Sequence, residues 1–284
     1  MSDISDAAKR LLLGRPVRSD HLGHTLLPKR IALPIFASDA LSSVAYAPDE
    51  ILLTLSIAGL SALLLSPWVG LAVAVVLITV VASYRQNVHA YPSGGGDYEV
   101  ATVNLGPNAG VTVASALLVD YVLTVAVSIS SGAQYAASAI PALRGHETAF
   151  AIGLVVILML ANLRGVKESG RAFAVPVYLF MFSIGAMAVI GFVRYATGTL
   201  PMAQSSVFDV AAESGYEQGL MGLAGAFLVL RAFASGCAAL TGVEAISNGV
   251  PAFRKPKSRN AATTLLMLGI VAAKIGRASC RERV

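Results

Sequence analysis

The sequence predicts an all-α protein that crosses a membrane several times. Three observations carry this: the chain is apolar, its charges cluster in short segments, and the runs between them are as long as a bilayer is thick. Apolar residues make up 56% of the 284 and charged residues 13%, about half the charged share of a soluble domain. Mean hydropathy is +0.70. Residues 51–84, 121–143 and 172–193 hold no charged side chain, whereas one spanning helix needs about 20 apolar residues. A soluble protein could bury one such helix but not a succession of them. The period-two alternation of a membrane barrel is missing from these runs.

The elements follow in order. Residues 1–30 form a basic segment with Lys9, Arg10, Arg15, Arg18, Lys29 and Arg30. Its apolar cluster, Leu11-Leu12-Leu13, is far too short for an export signal, so the first span must act as its own insertion signal. Span 1 covers residues 31–56. The uncharged run 51–84 would make about 51 Å of helix at ~1.5 Å per residue, too long for one crossing. Gly59 and Ser66-Pro67 offer the turn, which places span 2 at 68–90. Span 3 is 109–137, span 4 is 149–163, span 5 is 172–195 and span 6 is 219–250. A seventh starts near Ala261 and is unfinished at residue 273, so the membrane domain is 31–273.

Residues 274–284 break the pattern. The string Ile275-Gly276-Arg277-Ala278-Ser279-Cys280-Arg281-Glu282-Arg283-Val284 would put three arginines and a glutamate into hydrocarbon after a half-length helix, which is costly. It also resembles one reading frame of a common sequencing adapter, so a non-native tail is expected here. Without it, Cys237 is the only cysteine, and no intrachain disulfide can form.

Orientation follows from lysine and arginine placement. With the N-terminus in the cytoplasm, fourteen basic residues fall on that side, including Arg85, Arg164, Lys167, Arg171, Arg254, Lys255, Lys257 and Arg259. Only Arg144 and Arg194 fall outside, where Asp209, Glu213 and Glu217 also lie. The expected location is the cell membrane, with the basic loops against anionic lipid. No basic–aromatic surface gathers these charges, which argues against nucleic-acid binding.

Ionisable side chains inside spans are expensive and default to functional candidates. Four qualify: Asp39, Asp120, Arg231 and Glu244. In span 1, Ser38-Asp39-Ala40-Leu41-Ser42-Ser43 lies between Pro34 and Pro48. Each proline removes a backbone donor, which suits a locally opened helix whose carbonyls line a cavity. A plain kinked helix with Asp39 paired to Arg231 is the alternative. In span 3, Asp120, Thr124, Ser128 and Ser131 share one stripe at ~100° per residue. Hydroxyl stripes also serve helix packing, but packing does not account for the aspartate. Span 6 is interrupted by Gly236, Thr241, Gly242 and Glu244, while Cys237 reads as a small apolar filler. Two interrupted helices five spans apart are the pointer to an inverted-repeat transporter.

The stretches Ser38-Asp39-Ala40-Leu41-Ser42-Ser43-Val44-Ala45-Tyr46 and Ser235-Gly236-Cys237-Ala238-Ala239-Leu240-Thr241-Gly242-Val243-Glu244-Ala245-Ile246-Ser247-Asn248 resemble KimA-type proton-coupled potassium transporters. These belong to the KUP group of the amino acid–polyamine–organocation (APC) superfamily. The resemblance covers residues 27–273 and implies a LeuT-like inverted-repeat fold, truncated here to about helices 1–7. It implies potassium contacts at Asp39, Tyr46, Asp120, Tyr121, Thr124, Ser128, Thr241 and Glu244. It also implies about twelve spans and a cytoplasmic domain docking two subunits, so a homodimer is expected of the full-length protein and no activity of this stretch alone. Tyr91-Pro92-Ser93-Gly94-Gly95-Gly96-Asp97-Tyr98 resembles the superfamily's loop between helices 2 and 3. It lacks the Gly-Lys-Ser/Thr ending of a phosphate loop and reads as a flexible turn, with a gate hinge as the alternative.

The expected function is proton-coupled potassium uptake, with potassium and proton as transported species, no cofactor and no enzymatic activity. An amino-acid permease of the same superfamily and a non-transporting membrane sensor are the competing readings. A bound amino acid presents a carboxylate, which favours open N–H groups at a helix break, whereas Asp39 would repel it. Oxygen ligands from Asp, Glu, Thr, Ser and Tyr suit a hard monovalent cation. Three carboxylates in a low dielectric cannot all stay ionised without a cation or a proton, and Glu244, beside the span 6 break, is the candidate proton carrier.

Overall fold

The computed structural model describes residues 26–94, 96–163, 166–201, 211–216 and 220–282, with 166–172 and 274–282 described by backbone alone. Its α-helices are α1 (Lys29–Ser56), α2 (Ser66–Ala90), α3 (Gly96–Leu105), α4 (Pro107–Ala139), α5 (Glu147–Leu163), α6 (Val166–Ala196), α7 (Gly222–Gly236), α8 (Val243–Asn248) and α9 (Lys257–Glu282). Among the described residues the extended pairing is one bridge, Leu27 with Phe253. Five stretches are long and apolar enough to cross a membrane: Lys29–Ser56, Leu60–Ala90, Pro107–Ala139, Phe173–Ala196 and Gly222–Asn248. The shorter Glu147–Leu163 is apolar too. The chain is an all-α, multi-pass membrane protein.

The expected ends of spans 1 to 4 lie within two residues of α1, α2, α4 and α5, because bilayer thickness sets how long an uncharged run must be. The seventh helix starts earlier than expected, at Lys257, and continues to Glu282. Side chains beyond residue 273 are outside the described residues, as are most of the basic segment 1–30, Arg164, Asp209 and Glu217.

Two expectations are corrected. Span 1 is not opened: α1 is continuous through both Pro34 and Pro48. The Arg30 carbonyl, four residues before Pro34, accepts a hydrogen bond from the Tyr178 hydroxyl at 2.8 Å. Serine hydroxyls bond back along the helix, Ser38 to the Ile35 carbonyl at 3.1 Å and Ser42 to the Asp39 carbonyl at 2.7 Å. Neighbouring helices and hydroxyls re-satisfy backbone groups in this way in lipid, so prolines alone do not unwind the helix. The glycine cluster is also not all loop. Gly96 opens α3, whose first turn carries Asp97 and Glu99, acids favoured at a helix N-terminus.

Packing centres on α1, which is buried at Ala32, Leu33, Ala37, Ala40, Leu41, Val44 and Ala47. Around it lie Val73, Leu77 and Val81 of α2, Val243 and Ile246 of α8, and Leu265, Leu268 and Ala272 of α9. Small residues at these contacts let helices approach closely, which matters in lipid because no hydrophobic force drives helices together there. One end is closed by the Leu27–Phe253 bridge, with Leu27 N–H on the Ala252 carbonyl at 2.8 Å, and by Phe36 stacked on Phe253 at 5.4 Å. Helices α4, α5 and α6 turn apolar side chains outward, among them Leu118, Leu123, Ile157 and Phe182.

Candidate functional site

The site forms where the sixth span breaks. After α7, Cys237–Leu240 forms a turn of 3-10 helix, Thr241 is extended, and Gly242 is left-handed at φ 83° before α8 begins. Glycine adopts that conformation without steric cost. A Cβ at Gly242 would also lie 2.6 Å from Ala40 N and 2.8 Å from the Asp39 Oδ2. The break therefore seats on the middle of α1 only because residue 242 has no side chain. The predicted interruption of span 6 is present, and it meets a continuous helix rather than a second broken one.

Hydroxyls connect the two elements. Ser43 Oγ lies 2.7 Å from Thr241 Oγ1 and 2.9 Å from the Tyr46 hydroxyl. Thr241 donates to the Ala238 carbonyl at 2.9 Å, so its oxygen accepts from Ser43, and Ser43 in turn accepts from Tyr46. The chain Tyr46, Ser43, Thr241, Ala238 thus has one proton direction. Asp39, Ser43 and Tyr46 sit at i, i+4 and i+7 and share one face of α1. Ser42 Oγ comes within 3.4 Å of Ser128 Oγ, joining α1 to α4.

The carboxylates lie around this chain. Glu244 is 8% exposed, and Asp39 is part-buried. Asp39 Oδ1 and Glu244 Oε1 are buried without a hydrogen-bond partner in the protein. Asp120, on α4, is near enough to act electrostatically on both. Buried polar oxygens are costly unless something pairs with them. On α4 the stripe holds: Asp120, Tyr121, Thr124, Ser128 and Ser131 are part-buried, while Val119, Val122, Leu123, Val125 and Val127 are exposed. Tyr121 hydroxyl accepts from Asn248 Nδ2 at 2.8 Å.

Two cavities adjoin the stripe. One of about 300 Å³ is lined by Ser38, Ser42, Tyr46, Ser128 and Ser131, with Phe180 of α6. The other, about 450 Å³, lies at the far end of α1 beside Tyr46, Asp49, Glu50 and Tyr135, where the Tyr135 hydroxyl donates to Asp49 at 2.5 Å.

The structure thus links Asp39, Tyr46, Thr241 and Glu244 around the break, and brings Ser128 to α1 and Tyr121 to α8. Thr124 shares the stripe without a hydrogen bond to another described residue. Arg231 does not pair with Asp39: it is exposed on α7, and the Asp39 Oδ1 has no partner. Among the described residues no three His, Cys, Asp or Glu side chains converge tightly enough to chelate a metal. The donors are mixed carboxylates and hydroxyls. The sequence reading missed Ser43, Asn248, and the close seating of Gly242 on Asp39. Ser43 was legible as the residue one turn from both Asp39 and Tyr46.

Similarity to known proteins points to one family. The sequence profile of the amino acid permease family matches residues 34–276. The protein described as potassium transporter KimA, from Bacillus subtilis (strain 168), is 44% identical over 265 residues. That match covers 93% of this chain and 42% of the relative, so the chain spans about two fifths of the relative's length.

Proposed function

The chain belongs to the amino acid permease family, and we propose that the full-length protein carries out proton-coupled uptake of potassium ions into the cell. The ion sits among Asp39, Tyr46, Asp120, Tyr121, Thr124, Ser128, Thr241 and Glu244. The observation that carries this reading is the pair of buried, unpartnered oxygens on Asp39 and Glu244, flanking the Ser43–Tyr46–Thr241 hydroxyl chain. Anionic oxygens surrounded by neutral hydroxyl oxygens suit a hard monovalent cation. The printed description of the 44%-identical relative, a potassium transporter, supports the same substrate.

Proton coupling follows from the same crowding of carboxylates. With potassium bound, the ionised forms are favoured. When the ion leaves, one carboxylate takes a proton instead. Glu244 is the proposed carrier, because it sits at the first turn of α8 directly after the break. Asp39 and Asp120 stay as the ion's charged ligands. The family's description favours amino-acid transport as the second reading. Against it, the Asp39 carboxyl lies against Gly242, where the carboxylate of an amino acid would seek the free N–H groups of the break.

The N-terminus and the Arg254–Arg259 side are placed in the cytoplasm on the distribution of lysine and arginine, and the supporting membrane is the cell membrane. A cysteine introduced at Ser258 should react only with reagent applied from inside. Uptake of potassium into vesicles holding the full-length protein tests the substrate. Accumulation driven by a proton gradient is expected, and accumulation of amino acids with indifference to potassium would overturn the reading.

A further inference from the structure

The last turn of α8 carries a residue that no part of the proposed ion site includes. Asn248 lies four residues after Glu244, on the same face of the helix. Its Nδ2 donates to the Tyr121 hydroxyl at 2.8 Å, across 127 residues of sequence. That leaves the Tyr121 proton free to turn away and an oxygen lone pair free to face the site. The amide is itself held from behind. A Cβ at Gly96, which has φ 41°, would lie 2.5 Å from Asn248 Oδ1, and one at Gly94, with φ 85°, would lie 2.4 Å from the Pro251 side chain. The glycine turn therefore presses directly on the end of α8. It is tied down in turn by Asp97, whose Oδ2 accepts from the Tyr84 hydroxyl of α2 at 2.7 Å.

We propose that Asn248 is the positioning residue for Tyr121. It fixes the phenolic oxygen toward the ion, and the close approach of Gly96 backs its amide. This rests on the ion-site reading above and deepens it. A tyrosine hydroxyl is otherwise free to rotate and to bond elsewhere, and a ligand held in place discriminates between ions of different size better than a loose one. Gly96, which by sequence belongs to a flexible turn, backs the amide closely. Its lack of a side chain serves close approach, since any side chain at residue 96 meets the amide.

The test uses the full-length protein in vesicles and reads the potassium KM, the maximal rate and the preference for potassium over sodium. Tyr121→Phe and Asn248→Ala should each raise the potassium KM about tenfold and narrow the preference over sodium, and for Asn248→Ala the maximal rate should stay nearly unchanged. Because both act through one oxygen, the double variant should be no worse than Tyr121→Phe alone. Gly96→Ala, which keeps the amide but displaces it, should reproduce Asn248→Ala, and it carries the test if the asparagine variant does not reach the membrane. Additive losses in the double variant would overturn the proposal. So would an Asn248→Ala or Gly96→Ala effect confined to protein yield and maximal rate. Asp39→Asn, run in parallel, separates the two layers. Lost uptake there with a normal Asn248→Ala removes only the positioning role, while normal uptake in Asp39→Asn removes the ion site on which it rests.

Discussion

The helices fall into two groups that differ in how they meet their surroundings. Over its most apolar window α1 is 56% buried, and the α7–α8 span is 28% buried. The same measure is 6% for α4 and 0% for the spanning part of α6. In the first group polar atoms are matched across helices, as with Ser43, Tyr46 and Thr241. In the second, the one membrane-span carboxylate of α4, Asp120, shares a part-buried stripe with Thr124, Ser128 and Ser131, while large apolar side chains such as Val119, Val122 and Leu123 face outward. The proposed site lies on the seam, with α1 and α8 from the packed group and α4 from the exposed one. An ion held there has ligands on both groups.

The strongest challenge to this division is loss of one charged ligand from each side. In the full-length protein, Asp39→Asn and Asp120→Asn should each cut potassium uptake about a hundredfold or more, in line with the ~3 kcal/mol of an unbalanced buried charge. If Asp120→Asn transports normally, the site belongs to the packed group alone. Next comes Glu244→Gln, which should leave potassium movement down its own gradient while abolishing its response to an imposed proton gradient, measured by flux at two external pH values. Retained proton coupling would move that role to another group.

Smaller effects test the packing. Leu265→Ala, in the core of α9, should lower stability by about 2–5 kcal/mol, read by thermal unfolding in detergent. Leu123→Ala, 58% exposed on α4, should change it by no more than ~0.5 kcal/mol. A large loss at Leu123 in the full-length protein would show that further helices, and not lipid, cover α4. A pair of serines divides in the same way. Ser43→Ala breaks a buried hydroxyl chain and should cost about 1–3 kcal/mol, whereas Ser131→Ala, beside the cavities, should be nearly silent.

The spans were legible because bilayer thickness imposes run lengths that any reader can count, and the break in span 6 because Gly236 and Gly242 flank it. The polar, part-buried stripe of α4 was legible from helical period alone. What stayed hidden was tertiary. Ser43 finds its partner Thr241 198 residues away, and Asn248 finds Tyr121 127 residues away, distances at which spacing carries no signal. The prolines of α1 misled for a related reason. The group that takes up the Arg30 carbonyl freed by Pro34 is Tyr178, 148 residues after Arg30, so local composition suggested an opening that a distant hydroxyl prevents. Gly96 misled as a loop residue because its role is contact with Asn248, with a helix starting at that same position.

The central claim, that a potassium ion is held between the two groups of helices, is tested most directly by binding without transport. Calorimetric titration of the purified full-length protein should show a saturable heat with potassium that disappears in both Asp39→Asn and Asp120→Asn, and none with amino acids. Potassium heat unchanged in both variants, or a saturable heat with an amino acid and none with potassium, would contradict it.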